Sequence, residues 1–474
     1  MKLPYKSYRG VPALAGLCEM EDAARPGLSV EKSVARLKRF HYSFKRLHQI
    51  FIARLTAEPV YELKMAFSLH AHLCAEHVTA LRKRVSEMRE PPLGLDVIPH
   101  PALEIYFDEL LAAPATGGLL HGIYREALPA LENALGGFLA DAHPLADHPS
   151  RRVCRFAAGE VAEMREFGEK IFLDAEPSWD ADEESWRRLL GDCLAAAGGL
   201  AGDREESGVA PVRRHSAMPF KFDPVPRRDE RFPDPYNMAV NAEAFLYDPS
   251  FPAQPKVLMM FYKRLREVDV PEMMASIIHQ TTDKPWDYYR DMTRQLWDEA
   301  RHAMMGEIGF ASLDIDWAKN VMVNFTWSMA LNTQLTPLER HAVLYFIEQG
   351  LMPRSGKRFE WETAVASKDP LCALFQDFDW ADEVLHARIG RDWYLKEFSD
   401  AKKAVEYGDQ CWSKVLMNWE SWRTDGKTGH RNWWPDLYRA GCRAWGLEPD
   451  PRVLAYCTTY EAVRADLKNL SASA

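Results

Sequence analysis

None of the eight cysteines stands in a C-x-x-C pair, at positions 18, 74, 154, 193, 372, 411, 442 and 457, so no thiolate cluster for iron–sulfur chemistry is expected. They read as reduced thiols, which implies a cytoplasmic chain. No Gly-x-Gly-x-x-Gly loop is present for a nucleotide cofactor, and Lys427-Thr428 follows a lone glycine without the rest of a P-loop. No apolar run approaches membrane-spanning length. The start, Met1-Lys2-Leu3-Pro4-Tyr5-Lys6, lacks the apolar core of a signal peptide, so no membrane partner is expected. A formal charge of −10 without a basic run argues against nucleic acid.

What the chain does have is length and apolar content: 474 residues, 47% hydrophobic, enough for two or three domains with real cores. Within it, one short pattern occurs twice. Asp298-Glu299-Ala300-Arg301-His302 and Asp382-Glu383-Val384-Leu385-His386 both read Asp-Glu-x-x-His. On a helix, Glu and His three apart share a face, so each segment offers a carboxylate and an imidazole to one cation. Two such helices, each joined to another that supplies a lone glutamate, form the ligand set of a di-metal site in a helical bundle.

The lone glutamates are sought one helical hairpin upstream. Thr281 to Pro285 reads as a turn, with Pro285 opening the helix of the first motif. Glu267 then lies opposite Glu299, and Glu272 falls about a turn short. Before the second motif, Thr336-Pro337-Leu338-Glu339 reads as a capping box, which occupies Glu339 locally and leaves Glu348 as the ligand. Asp369-Pro370 opens the next helix. The separations agree, 32 residues from Glu267 to Glu299 and 35 from Glu348 to Glu383. Glu272 and Glu339 remain the alternatives. Asp298 and Asp382 are expected to hold the second ring nitrogens of the ligand histidines crosswise, Asp298 toward His386 and Asp382 toward His302.

Tyr289-Arg290-Asp291, the two Asp-Glu-x-x-His segments, Gly390 and Trp393 together resemble the ferritin-like superfamily of di-metal carboxylate proteins over residues 256 to 398. The resemblance implies two iron ions, with manganese or a mixed manganese–iron pair also compatible, and O2 chemistry on a small-molecule substrate. Electrons then come from an external donor or from the substrate. Two other functions fit the same ligands, iron storage or peroxide detoxification and a non-catalytic metal-stabilised scaffold. Tyr345 and Trp380 each precede a ligand glutamate by three residues. They are candidate catalytic aromatics, as a substrate wall or radical carriers, with plain core packing as the competing reading.

The fold expected is all-α: tandem ferritin-like four-helix bundles, a Pro-rich connector and a C-terminal helical extension. The N-terminal domain, 1–175, reads as a degenerate copy. Glu126 and Glu160 are 34 apart, but Thr79 and Glu163 stand where histidines belong and Phe44 where a glutamate does. His70, Cys74 and His77 share one helix face there and are read as core before ligands. The connector is placed at 176–255, the di-metal bundle at 256–400, and at 401–474 an extension holding six of the 15 tryptophans.

Overall fold

Helices begin where the local chemistry satisfies their first N–H groups. Thr336 and Glu339 form the reciprocal capping box, and Asp369 accepts from the Cys372 amide. Pro285 immediately precedes the longest helix, where its missing N–H costs nothing. In the computed structural model, which describes residues 5–89, 94–172, 181–416 and 419–460, the chain is all-helical, with no strand among the described residues. Residues 1–4, 173–180 and 461–474, on which the leader reading, the start of the connector and the end of the C-terminal extension fall, lie outside them. No described helix is long and apolar enough to cross a membrane.

The chain divides into two units. The first comprises residues up to Phe51 and His70–Phe222, the second Ile52–Leu69 and the chain from Asp223 on. Helices α1 (Val30–Leu55) and α2 (Tyr61–Ser86) contribute to both. In the first unit, α3 (Leu128–Asp141) packs on α4 (His148–Ile171). Its core is aromatic and includes Phe40 against Phe138 and Phe44 against His77. His70 bonds Tyr124 Oη at 2.8 Å and His77 meets Glu160 at 2.7 Å, so these two histidines are held by separate partners. Among the described residues, no group of His, Cys, Asp or Glu in this unit converges as metal donors would.

The second unit is built around α5 (Ala253–Arg266), α6 (Asp269–Gln280), α7 (Trp286–Ser312), α8 (Pro337–Leu351), α9 (Lys357–Ser367) and α10 (Pro370–Trp393). Helix α7 packs on α5, α6 and α10; α10 packs on α8, and α8 on α6, which closes a ring. Glycines set its tightness. A Cβ on Gly306 of α7 would stand 2.2 Å from the Leu265 backbone nitrogen of α5, and one on Gly390 of α10 would stand 2.3 Å from the Tyr345 ring. Asp291 of α7 accepts from the Trp393 indole of α10 at 2.8 Å.

The Pro-rich stretch is not wholly extended. It contains a helix at Ala181–Ala196 in the first unit, which buries Trp186, and one at Ala242–Tyr247 in the second. Phe232, Val240 and Phe245 from this stretch enter the second unit's core with Trp434 of α11 (Trp434–Trp445) and its N-cap, Trp433.

Candidate metal centre

The inner face of the ring is where the repeated motif points. Glu299 and His302 come from α7, and Glu383 and His386 from α10. Glu348 comes from α8, and Glu267 sits at the break between α5 and α6. Glu299, Glu348, Glu383 and His386 bring one donor atom each within 4.8 Å of one another, and so do Glu267, Glu299 and His302. Glu299 is common to both groups. His302 Nδ1 lies 3.4 Å from Glu267 and 3.5 Å from Glu299. His386 Nδ1 lies 3.2 Å from Glu299 and 3.4 Å from Glu383.

The outer nitrogens face the two aspartates crosswise: His302 Nε2 is 3.2 Å from Asp382, and His386 Nε2 is 3.4 Å from Asp298. Arg301 bridges the pair, at 2.8 Å to Asp382 and in direct contact with Asp298. Arg294 adds a second cation to Asp298 at 3.0 Å. Burial opposes charge on His302, but the neighbouring carboxylates of Asp382, Glu267 and Glu299 outweigh it and raise the imidazole to about 10. The orientation leaves both Nδ1 atoms directed at the carboxylates, as ligating imidazoles require.

Four further residues complete the cluster. Asp379, fully buried on α10, joins His302 and Glu383 in a third converging group. Lys357 of α9 binds Asp379 at 2.9 Å and Glu383 at 2.8 Å. Arg264 of α5 contacts Asp379 and holds Glu267 at 2.7 Å. Gln295 donates to Glu348 at 3.1 Å. Asp379, Gln295 and Arg264 lie one helical turn before a ligand, at i−4, i−4 and i−3, a spacing that could have flagged them. Lys357 comes from a different helix and carries no such signal.

Burial and the neighbouring Glu383 and Glu299 push Glu348 well above the usual carboxylate range. Against burial, Lys357 holds Glu383 well below it. In the deprotonated form that metal ligation requires, five carboxylates, Glu267, Glu299, Glu348, Asp379 and Glu383, face two cations, Arg264 and Lys357, an excess of three negative charges in a buried site. Glu267 Oε2, His302 Nδ1, Glu348 Oε2, Glu383 Oε2 and His386 Nδ1 are buried and make no hydrogen bond among the described residues. Unsatisfied buried polar atoms aimed at common points are costly unless something fills the space between them, and these groups can hold a metal ion.

The alternative glutamates are engaged elsewhere. Glu272 is fully buried with Lys64 at 2.9 Å, Arg228 at 3.0 Å and Ser328 at 2.7 Å. Glu339 serves its capping box. Tyr345 packs on Gly390 and Tyr394, and Trp380 pairs with Trp361, centroids 6.1 Å apart.

Comparison with known proteins finds no matching family model, no matching curated protein and no matching solved structure.

Proposed function

We propose that this cluster holds two iron ions and that the chain is an O2-dependent oxidase or oxygenase acting on a small organic molecule. The observation that carries the reading is the set of five unsatisfied donor atoms converging in a buried cluster whose deprotonated form carries three excess negative charges. Two divalent cations bring four positive charges against that excess, whereas one leaves the cluster negative. Carboxylate and imidazole donors suit iron and manganese over soft-ligand metals. When bound, such a pair supplies the redox chemistry that reduces O2.

The chain's own residues do the rest. Glu299, shared by two donor groups, would be held in common by the two ions. Asp298 and Asp382 fix the imidazoles with Nδ1 inward, while Arg264 and Lys357 hold carboxylate oxygens that would otherwise repel one another. Burial excludes water from the reacting volume. For an oxygenase, one C–H bond of the substrate is replaced by C–OH, and the second oxygen atom leaves as water. Two electrons and two protons enter, the electrons from an external reductant.

Oxygen uptake by the anaerobically Fe(II)-loaded protein tests this. Rapid uptake with a transient visible absorption, both lost in the His302→Ala/His386→Ala variant, is expected. Uptake no faster than that of free Fe(II), in protein that has bound the metal, would leave the site a structural one.

A further inference from the structure

A cavity of about 580 Å³ in the second unit reaches the candidate metal centre at one point, Glu267. That residue is singular among the six candidate ligands: its side chain keeps 16% exposure, while the other five retain 5% or less. Its position explains why. Glu267 ends α5, and the chain restarts as α6 two residues later, so Glu267 lies at a break that belongs to both the cluster and the cavity wall.

The cavity's own chemistry defines an occupant. Most of its exposed lining is apolar, with Val270, Met273, Leu331 and Ile347 on its sides. Trp327 and Trp412 form a flat stack with centroids 3.5 Å apart and planes 7° apart. The charged side chains on the wall all have ionic partners. Arg266 pairs with Glu243 and bonds Tyr460 at 2.7 Å, Lys263 pairs with Glu360, and Asp269 pairs with Arg228. An ionic ligand would have to compete with these pairs, whereas an uncharged one would not. The Tyr460 and Tyr247 hydroxyls on the wall are likewise engaged, donating to Glu243 at 2.6 Å and to Glu360 at 2.5 Å. Cavities of about 300–1,000 Å³ suit drug-sized ligands.

We infer that this cavity is the substrate chamber of the centre and that its substrate class is neutral, predominantly apolar and aromatic-bearing. The inference deepens the oxidase reading and rests on it for the word substrate, while the cavity's ligand preference stands on its own lining. Glu267 is the contact through which an occupant meets the metal ligands.

The test uses the full chain and two probes with the same aromatic skeleton, neutral N-phenyl-1-naphthylamine and its anionic sulfonate, 8-anilino-1-naphthalenesulfonate. Fluorescence titration of the metal-free protein should show one saturable site for the neutral probe and binding weaker by about tenfold or more for the anion. Leu331→Trp and, separately, Val270→Phe should each lower neutral-probe affinity by about tenfold, with Fe(II) content per chain unchanged. Circular dichroism checks that each variant is folded. Loading the wild type with Co(II), whose unfilled d shell quenches nearby fluorophores, should dim the bound neutral probe. No saturable binding, tighter binding of the anion, folded variants that bind like the wild type, or a bound probe unaffected by Co(II) uptake would overturn the chamber. Probe binding that behaves as expected in a chain that takes up no metal would instead overturn the oxidase reading and leave an apolar ligand site.

Discussion

Lys357 shows how the cluster is balanced at the scale of single residues. Its ammonium, 1% exposed, is shared between Asp379 and Glu383, so replacing it takes a buried cation from both carboxylates. Breaking a buried pair from one side typically costs about 3–5 kcal/mol. Lys357→Met should destabilise the metal-free protein by about that amount in urea unfolding, and added Fe(II) should recover a larger share of stability than in the wild type. A change below about 1 kcal/mol, the range of exposed pairs, would mean that Lys357 is dispensable to the balance. The meeting of these glutamates and histidines was legible because Glu-x-x-His is a local, three-residue relation, and the crosswise aspartates because they adjoin it. Asp379 and Gln295 occupy equally regular positions, but many polar residues precede a glutamate by a turn. Only the meeting of α9 with α10 makes Lys357 part of the site.

At the scale of elements, the geometry depends on how closely α5 approaches α7. Gly306, one turn beyond His302, lets the Leu265 backbone lie against α7, and Glu267 follows two residues later. Gly306→Ala should therefore push α5 away, lowering stability by about 1–3 kcal/mol as overpacking does and weakening metal binding by moving Glu267. Equilibrium dialysis against Fe(II) beside a denaturant titration checks both, and unchanged affinity would show that Glu267 does not depend on this contact. Helix starts at Thr336, Asp369 and Pro285 were readable from capping chemistry. The break at Glu267–Val268 was less so. Pro271 falls in the first turn of α6, where no intrahelical N–H is required, so it marks a new helix beginning just upstream. The stacked Trp327 and Trp412 are 85 residues apart, and no periodicity joins them.

For the molecule as a whole, buried ion pairs in the second unit tie its acid stability to a few carboxylates. Burial works against ionised Glu360, but Lys263, Lys357 and Arg264 hold it at about 2 against an ordinary 4.5. Arg228 and Lys64 likewise hold Glu272 below its usual range despite burial. Because these folded-state values are depressed, their contribution is present above about pH 4.5 and lost as pH falls toward about 2. Thermal melts of the second unit's transition should fall steeply across that window, and Glu360→Gln should flatten the fall. An unchanged profile in a folded Glu360→Gln protein would remove Glu360 from the account. The all-helical class followed from pattern. The division of the chain did not, because residues 52–69 join a unit that otherwise begins at Asp223 through contacts such as Lys64 with Glu272.

The most direct measurement is metal content by elemental analysis after anaerobic Fe(II) loading and desalting, for the wild type beside the His302→Ala/His386→Ala variant. Two ions per chain in the wild type and fewer than one in the variant are expected. No stoichiometric metal in the wild type, or the same content in both proteins, would contradict a di-metal centre built on these residues.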